Sequence, residues 1–156
     1  MKLWPAVTET LVLPVPGKIA LQKLKQHVFE PDHHDHSDAR HKHKFIGRIH
    51  DEGFQIHRRL KHPENYLPLI KGSLEQTSKG CLIFIEYKLI FSTRLFMVFS
   101  LALSLLMTLV FAFAQPKPFY AFVSLCVGIA IYIVTIINFD RQVKLSKEIL
   151  HSIFYN

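Results

Sequence analysis

The chain reads as an α+β protein: a small, mainly antiparallel sheet with one or two packed helices, joined to a transmembrane helical hairpin. Three observations carry this reading. Residues 45–90 alternate apolar and polar side chains at the period of a half-buried strand, with turn signals between the runs. Residues 17–29 and 140–155 space their apolar side chains three or four apart, as amphipathic helices do. Residues 95–114 and 119–139 are two apolar runs without a charge, parted only by Gln115-Pro116-Lys117-Pro118. The chain therefore divides into a cytoplasmic α+β domain over residues 1–91, a hairpin over 92–139 and an amphipathic C-terminal helix over 140–156.

Residues 7–13, VTETLVL, are rich in β-branched and apolar side chains and predict a first strand, ended by Pro14 and Pro16. Pro16 can also open a helix, since no donor is needed in its first turn. From Gly17 onward, Leu21, Leu24 and Val28 share one face with Ala20 beside them. That spacing predicts a helix ending near Phe29, before Pro31. Residues 30–44 are polar throughout and predict a loop.

Beyond it the alternation begins. Phe45, Gly47 and Ile49 oppose Ile46, Arg48 and His50. Asp51-Glu52-Gly53 predicts a hairpin turn with glycine in a left-handed position. Phe54, Ile56, Arg58 and Leu60 share the next strand's inner face, and His62-Pro63-Glu64-Asn65 breaks the ladder. Residues 66–77 resume it, interrupted by Pro68 and Gly72, and Ser78-Lys79-Gly80 is a second turn. Residues 81–91 form the longest strand, with Ile83, Ile85, Tyr87 and Leu89 on one face. About five strands are expected.

Each apolar run supplies the roughly 20 residues that a helix needs to cross a bilayer core. Neither has the polar stripe of a soluble surface helix. Their Ser and Thr side chains can bond back to the helix backbone, so lipid tolerates them. Two prolines in the break end one helix and start the next. Lys88 and Arg94 precede the hairpin and Arg141, Lys144 and Lys147 follow it, against Lys117 alone in the connection. This asymmetry places both termini in the cytoplasm, with the Gln115–Pro118 connection just outside, as in a multi-pass membrane protein. The first residues do not read as a secretory signal, because Pro5, Thr8, Glu9 and Thr10 interrupt any apolar core. In the tail, Leu145, Ile149 and Ile153 line one face with Leu150 and Phe154 adjoining. A separate short helix that folds back on the sheet is expected, with the membrane interface as the competing position.

The formal net charge is +7 over 156 residues, which suits a domain held against an anionic leaflet. No dense basic stripe interleaved with aromatics is present, so nucleic acid is not an expected partner. Cys81 and Cys126 offer no disulfide framework.

The order of elements resembles a group of small, uncharacterised bacterial two-helix membrane proteins with a β-rich cytoplasmic domain. The residues that carry this are Phe45-x-Gly47-x-Ile49, Phe54-x-Ile56-x-Arg58, Asn65-x-x-Pro68-x-x-x-Gly72 and the long strand before the first span. A looser similarity is to bacterial pleckstrin-homology-like membrane proteins. The resemblance covers most of residues 5–155 and implies a membrane location and an α+β domain, without naming an activity. The His-rich insert departs from it.

That insert holds His33, His34, His36, His41 and His43 beside Asp32, Asp35 and Asp38. Imidazoles and carboxylates at this density could take zinc or copper, or sense acid. The competing reading is a solvated linker whose ordering around a metal would cost entropy. The densest basic patch is Arg58, Arg59 and Lys61, flanked by His57 and His62. Arg58 shares the parity of Phe54 and Ile56, so it is expected to be partly buried and paired with Glu75 or Glu86. Contact of the patch with anionic lipid head groups or a partner is the functional alternative. Asn65, Pro68 and Gly72 suit turn and bulge geometry. Gly128 would let the two spans approach, and Asn138 and Asp140 suit interface capping or a polar contact between helices.

No GxSxG, SxxK or glycine-rich phosphate loop is present, and no catalytic set can be argued from spacing. The expected role is therefore non-enzymatic: a membrane-anchored interaction or scaffold module that needs no cofactor. Its partners would be the bilayer and a second membrane protein or another copy of the chain. The alternative is a metal- or pH-responsive membrane protein acting through His33–His43.

Overall fold

A computed structural model describes residues 5–30, 43–59, 66–78, 80–114 and 117–155. Among these, six strands form one sheet in the order β1-β6-β5-β4-β3-β2. They are β1 (Ala6–Leu13), β2 (Val28–Phe29), β3 (Phe45–His50), β4 (Gly53–Arg58), β5 (Pro68–Thr77) and β6 (Gly80–Leu89). Strands β3 to β6 make an antiparallel meander, and β1 lies antiparallel along β6 from Ala6↔Lys88 to Leu13↔Cys81.

The sheet is mixed rather than purely antiparallel, because β2 runs parallel to β3. Helix α1 (Gly17–Lys25) stops short of the expected end near Phe29. Val28 is buried, as its spacing from Leu21 and Leu24 requires, but its backbone is extended and pairs with Phe45. The His27 carbonyl accepts from the Lys44 and Phe45 amides, which draws the chain out of the helix and onto the sheet edge.

Alternation along each strand sorts the sheet into two faces. In β6, Cys81, Ile83, Ile85, Tyr87 and Leu89 are all buried. They meet Leu11 and Leu13 of β1, Phe54 and Ile56 of β4, and Ile70 of β5 in one core. Ala20 and Leu24 of α1 cover it from one side. Among the described residues nothing packs over the opposite face of the sheet, where Val12 and Phe84 are exposed. Of the two turn glycines, both expected at positive φ, one departs from expectation. Gly53 does not have a positive φ, whereas Gly80 does, at 151°. A side chain at Gly80 would also run into the Leu13 carbonyl of β1.

After Leu89 one residue, Ile90, separates the sheet from α2 (Phe91–Leu109). Helix α2 begins four residues before the expected position 95. It continues as a π-helical turn, Val110–Ala114. Helix α3 runs without interruption over Pro118–Tyr155, 38 residues. This overturns the expected break near Asp140. No proline or glycine lies between Ile129 and Tyr155, and no cap chemistry interrupts the turn. Phe139, Val143, Ser146, Leu150 and Ile153 extend the buried stripe that Ala121, Gly128 and Thr135 begin. The tail does reach the sheet, by continuing straight rather than by folding back.

Residues Phe91–Phe113 and helix α3 are both long and apolar enough to cross a membrane, the most apolar 18-residue stretch of each having a mean hydropathy of 2.5 and 2.4 respectively. They pack on each other closely. Ser104 Oγ donates to the Ser124 carbonyl at 2.6 Å, and Ser124 Oγ donates to the Ser104 carbonyl at 3.0 Å. A side chain at Gly128 would collide with the Ser104 hydroxyl. Asn138 Nδ2 donates to Val134 O within its own helix at 2.8 Å.

Candidate functional site: the seam between helix and sheet

The last turns of α3 lie on the inner face of the sheet. Phe139, Val143, Leu150, Ile153 and Phe154 enter the core there. Two polar clusters interrupt this apolar seam.

The first stands where α3 leaves its apolar segment. Arg58 ends β4 with the inward parity of Phe54 and Ile56, so its side chain is carried to the core side. It is 8% exposed. Its Nη2 donates to Gln142 Oε1 of α3 at 2.6 Å, while its enclosed Nε has no partner. Gln142 is held in turn by a helix in which Ser146 Oγ donates to the Gln142 carbonyl at 2.8 Å. The expected pairing of Arg58 with Glu75 or Glu86 is not made. Glu75 and Glu86 have outward parity on β5 and β6, and Glu86 instead pairs with Lys88 at 2.7 Å on the open face. Arg59 follows, half-buried, its amide donating to the Lys44 carbonyl at 3.0 Å and its enclosed Nη1 without a partner. Lys61, the third residue of the expected patch, lies outside the described residues.

The second cluster gathers on Glu9. Val7, Glu9, Leu11 and Leu13 share inward parity on β1, which makes Glu9 the polar position of that face. On α3, Lys147 and His151 stand one turn apart, so both reach the same carboxylate. His151 Nε2 donates to Glu9 Oε1 at 2.6 Å and Lys147 Nζ lies 3.2 Å from Glu9 Oε2. Tyr87 OH points at the same oxygen from 3.5 Å, and Lys147 Nζ sits 5.6 Å from the centre of the Tyr87 ring. Burial alone would raise the Glu9 pKa, but the hydrogen bonds from His151 and Lys147 outweigh it and hold the carboxylate below 4.5. Burial, with the Glu9 charge beside it, pushes the Tyr87 hydroxyl well above its ordinary value. An open concavity lined by Glu9, Lys144, Lys147, Glu148 and His151 leads to this point.

The seam joins charges and hydrogen bonds across sequence separations of 84 and 142 residues. Its chemistry is that of a fastening: the Glu9 oxygens are occupied by donors, and no nucleophile with an adjacent base stands in it. Sequence reasoning singles out Arg58 and Arg59 but passes over Glu9, Tyr87, Gln142, Lys147 and His151. The available signals are the lone carboxylate at inward parity on β1 and the i, i+4 pair Lys147/His151 on α3.

Of the expected metal set, His33, His34, His36 and His41 lie outside the described residues. His43 is within them and lies tilted against Phe29, at 6.0 Å between ring centres. Among the described residues no group of three or more His, Cys, Asp or Glu side chains is placed to hold a metal ion. Cys81 is buried in the sheet and Cys126 is exposed on α3, both as free thiols. Asn65 lies outside the described residues, Pro68 opens β5, and Gly72 sits under the Phe54 ring, where a side chain would collide with it. Neither a family model, nor a curated protein, nor a solved structure matches the chain.

Proposed function

We propose that the chain is an integral membrane protein that crosses the bacterial cytoplasmic membrane twice, with both termini in the cytoplasm. We further propose that it serves there as a non-enzymatic, anchored interaction or scaffold module. One observation carries this reading: α3 passes without a break from its apolar segment into the core of the α+β domain. With Ile90 as the only residue between β6 and α2, the domain is tied to both apolar helices at the same end. A domain so held keeps one orientation to the membrane, which suits presentation of a surface better than turnover of a soluble substrate. The basic residues Arg94, Arg141, Lys144 and Lys147 beside the apolar segments support cytoplasmic termini. On the open face of the sheet, Val12 and Phe84 stand exposed among Thr8, Thr10, Lys71 and Ser73 and offer a partner apolar area.

The test is extraction followed by gentle purification. The chain is expected to stay in membranes washed with alkaline carbonate. In mild detergent it is expected to elute with a stoichiometric protein partner or as a homo-oligomer. Release by carbonate would overturn the membrane placement. A monomer without partners, purified from native membranes, would overturn the scaffold role.

A further inference from the structure

We infer that Arg58 and Arg59 form a site for the phosphate of an anionic phospholipid head group. This deepens the membrane placement proposed above and rests on it.

The first argument is an uncompensated charge. A guanidinium stays ionised at any physiological pH, and enclosing it without a counter-ion is strongly unfavourable. Arg58 is 8% exposed, and its hydrogen bond goes to a neutral amide, Gln142. Among the described residues no carboxylate pairs with it. Its Nε and the Nη1 of Arg59 are enclosed donors without acceptors. Arg58 thus carries an inward donor that an anion would satisfy, and Arg59, at the next position and of opposite parity, adds a second unsatisfied donor and its charge.

The second argument is level. The pairs His57↔Leu69 and Pro68↔Leu89 place Arg58 at the row of Pro68 and Leu89. Leu89 lies two residues before the start of α2 at Phe91. Gln142, bonded to Arg58, lies three residues after Phe139, where the apolar run of α3 ends. Both apolar helices therefore meet the domain at the row of Arg58. In a bilayer spanned by those helices, this is the depth of the lipid phosphates.

The third argument is shape and sign. A guanidinium fork matches phosphate oxygens and bonds them in pairs. Arg141 stands exposed beside Gln142, adding positive charge. The described carboxylates near this row are Glu30, two residues beyond Val28, Glu86, already paired with Lys88, and the exposed Asp140. A head group with net negative charge is therefore favoured over a zwitterionic one.

The experiment reads lipid retained by the full chain. Protein in nanodiscs made from equal parts phosphatidylglycerol and phosphatidylcholine is released into detergent, and bound lipid is counted by native mass spectrometry. The expected result is a roughly tenfold preference for phosphatidylglycerol, the scale of one charge-assisted hydrogen bond. Arg58→Gln with Arg59→Gln should bring the preference close to none. Arg59→Gln alone, at the less buried position, should lower it in a folded protein. Arg58→Lys, which keeps charge but loses the fork, should fall between. Lys18→Gln, an equal loss of charge on α1, should leave the preference unchanged. An unchanged preference in both arginine variants would overturn the inference, as would an equal fall in Lys18→Gln. Displacement of the lipid by inorganic phosphate would overturn the lipid as the source of the anion. Failure of the chain to incorporate into nanodiscs would overturn the membrane placement itself, a different result from incorporation without preference.

Discussion

Replacing Glu9 with Gln tests the fastening between β1 and α3. Gln keeps the shape of the side chain and removes its charge. Glu9 receives His151 Nε2 at 2.6 Å and Lys147 Nζ at 3.2 Å; Tyr87 OH, at 3.5 Å, is too far to count as a strong bond. A hydrogen bond to a charged group contributes about 1.5–3 kcal/mol. The Lys147 and His151 side chains are 31% and 44% exposed, so solvent screening reduces this. The expected loss is about 1–2 kcal/mol in total, or about 2–8 °C in Tm for a chain of this size. The sign with pH follows from the lowered pKa of Glu9. Its contribution is whole above the unfolded value of 4.5 and disappears as pH falls through the folded value. Thermal melts of the native chain and Glu9→Gln in one detergent should therefore differ at neutral pH and converge in acid, below 4.5. Equal melting points at neutral pH, or a gap that persists at the acid end, would refute the assignment.

Three further predictions concern packing. Leu150 is fully enclosed, so Leu150→Ala should cost about 2–5 kcal/mol in denaturant melts, and a loss below about 1 kcal/mol would mean that the end of α3 is not seated on the sheet. Gly128→Val should destabilise by about 1–3 kcal/mol because its side chain meets Ser104, whereas Ser104→Ala should cost only about 0.6 kcal/mol. Burial raises the Cys81 thiol pKa, so maleimide applied to the folded protein in detergent should spare Cys81 and label it only after denaturation, as peptide masses will show.

How much of this architecture the residues announce depends on how local each feature is. The inner face of β6 is fully legible, because a ten-residue strand repeats its alternation five times over. The two apolar helices are legible for the same reason of length. Strand β2 is not, since two residues contain no period, and Val28 satisfies a helical spacing as well as a strand. The continuity of α3 escapes a reading based on hydropathy. Polarity changes sharply at Asp140 while the buried stripe carries on, and only the stripe decides whether a helix breaks. The Glu9 cluster depends on a pairing across 142 residues, which no local pattern encodes. Arg58 lies between these cases. Its inward parity is readable, and the same parity argument excludes Glu75 and Glu86, but Gln142 becomes a partner only once α3 is known to run straight.

The unbroken α3 has a mechanical meaning. At about 1.5 Å per residue, 38 residues make a rod of about 57 Å. Its middle carries no proline or glycine joint past Gly128, and its far end is wedged into the sheet. Membrane helices differ in tilt by tens of degrees as bilayer thickness changes, and a change of ~10° at one end of such a rod sweeps the other by about 10 Å. In the proposed placement the domain would travel with that sweep. Thickness and lateral crowding in the bilayer would then be converted into displacement of the open sheet face, with the shaft acting as a lever rather than a tether.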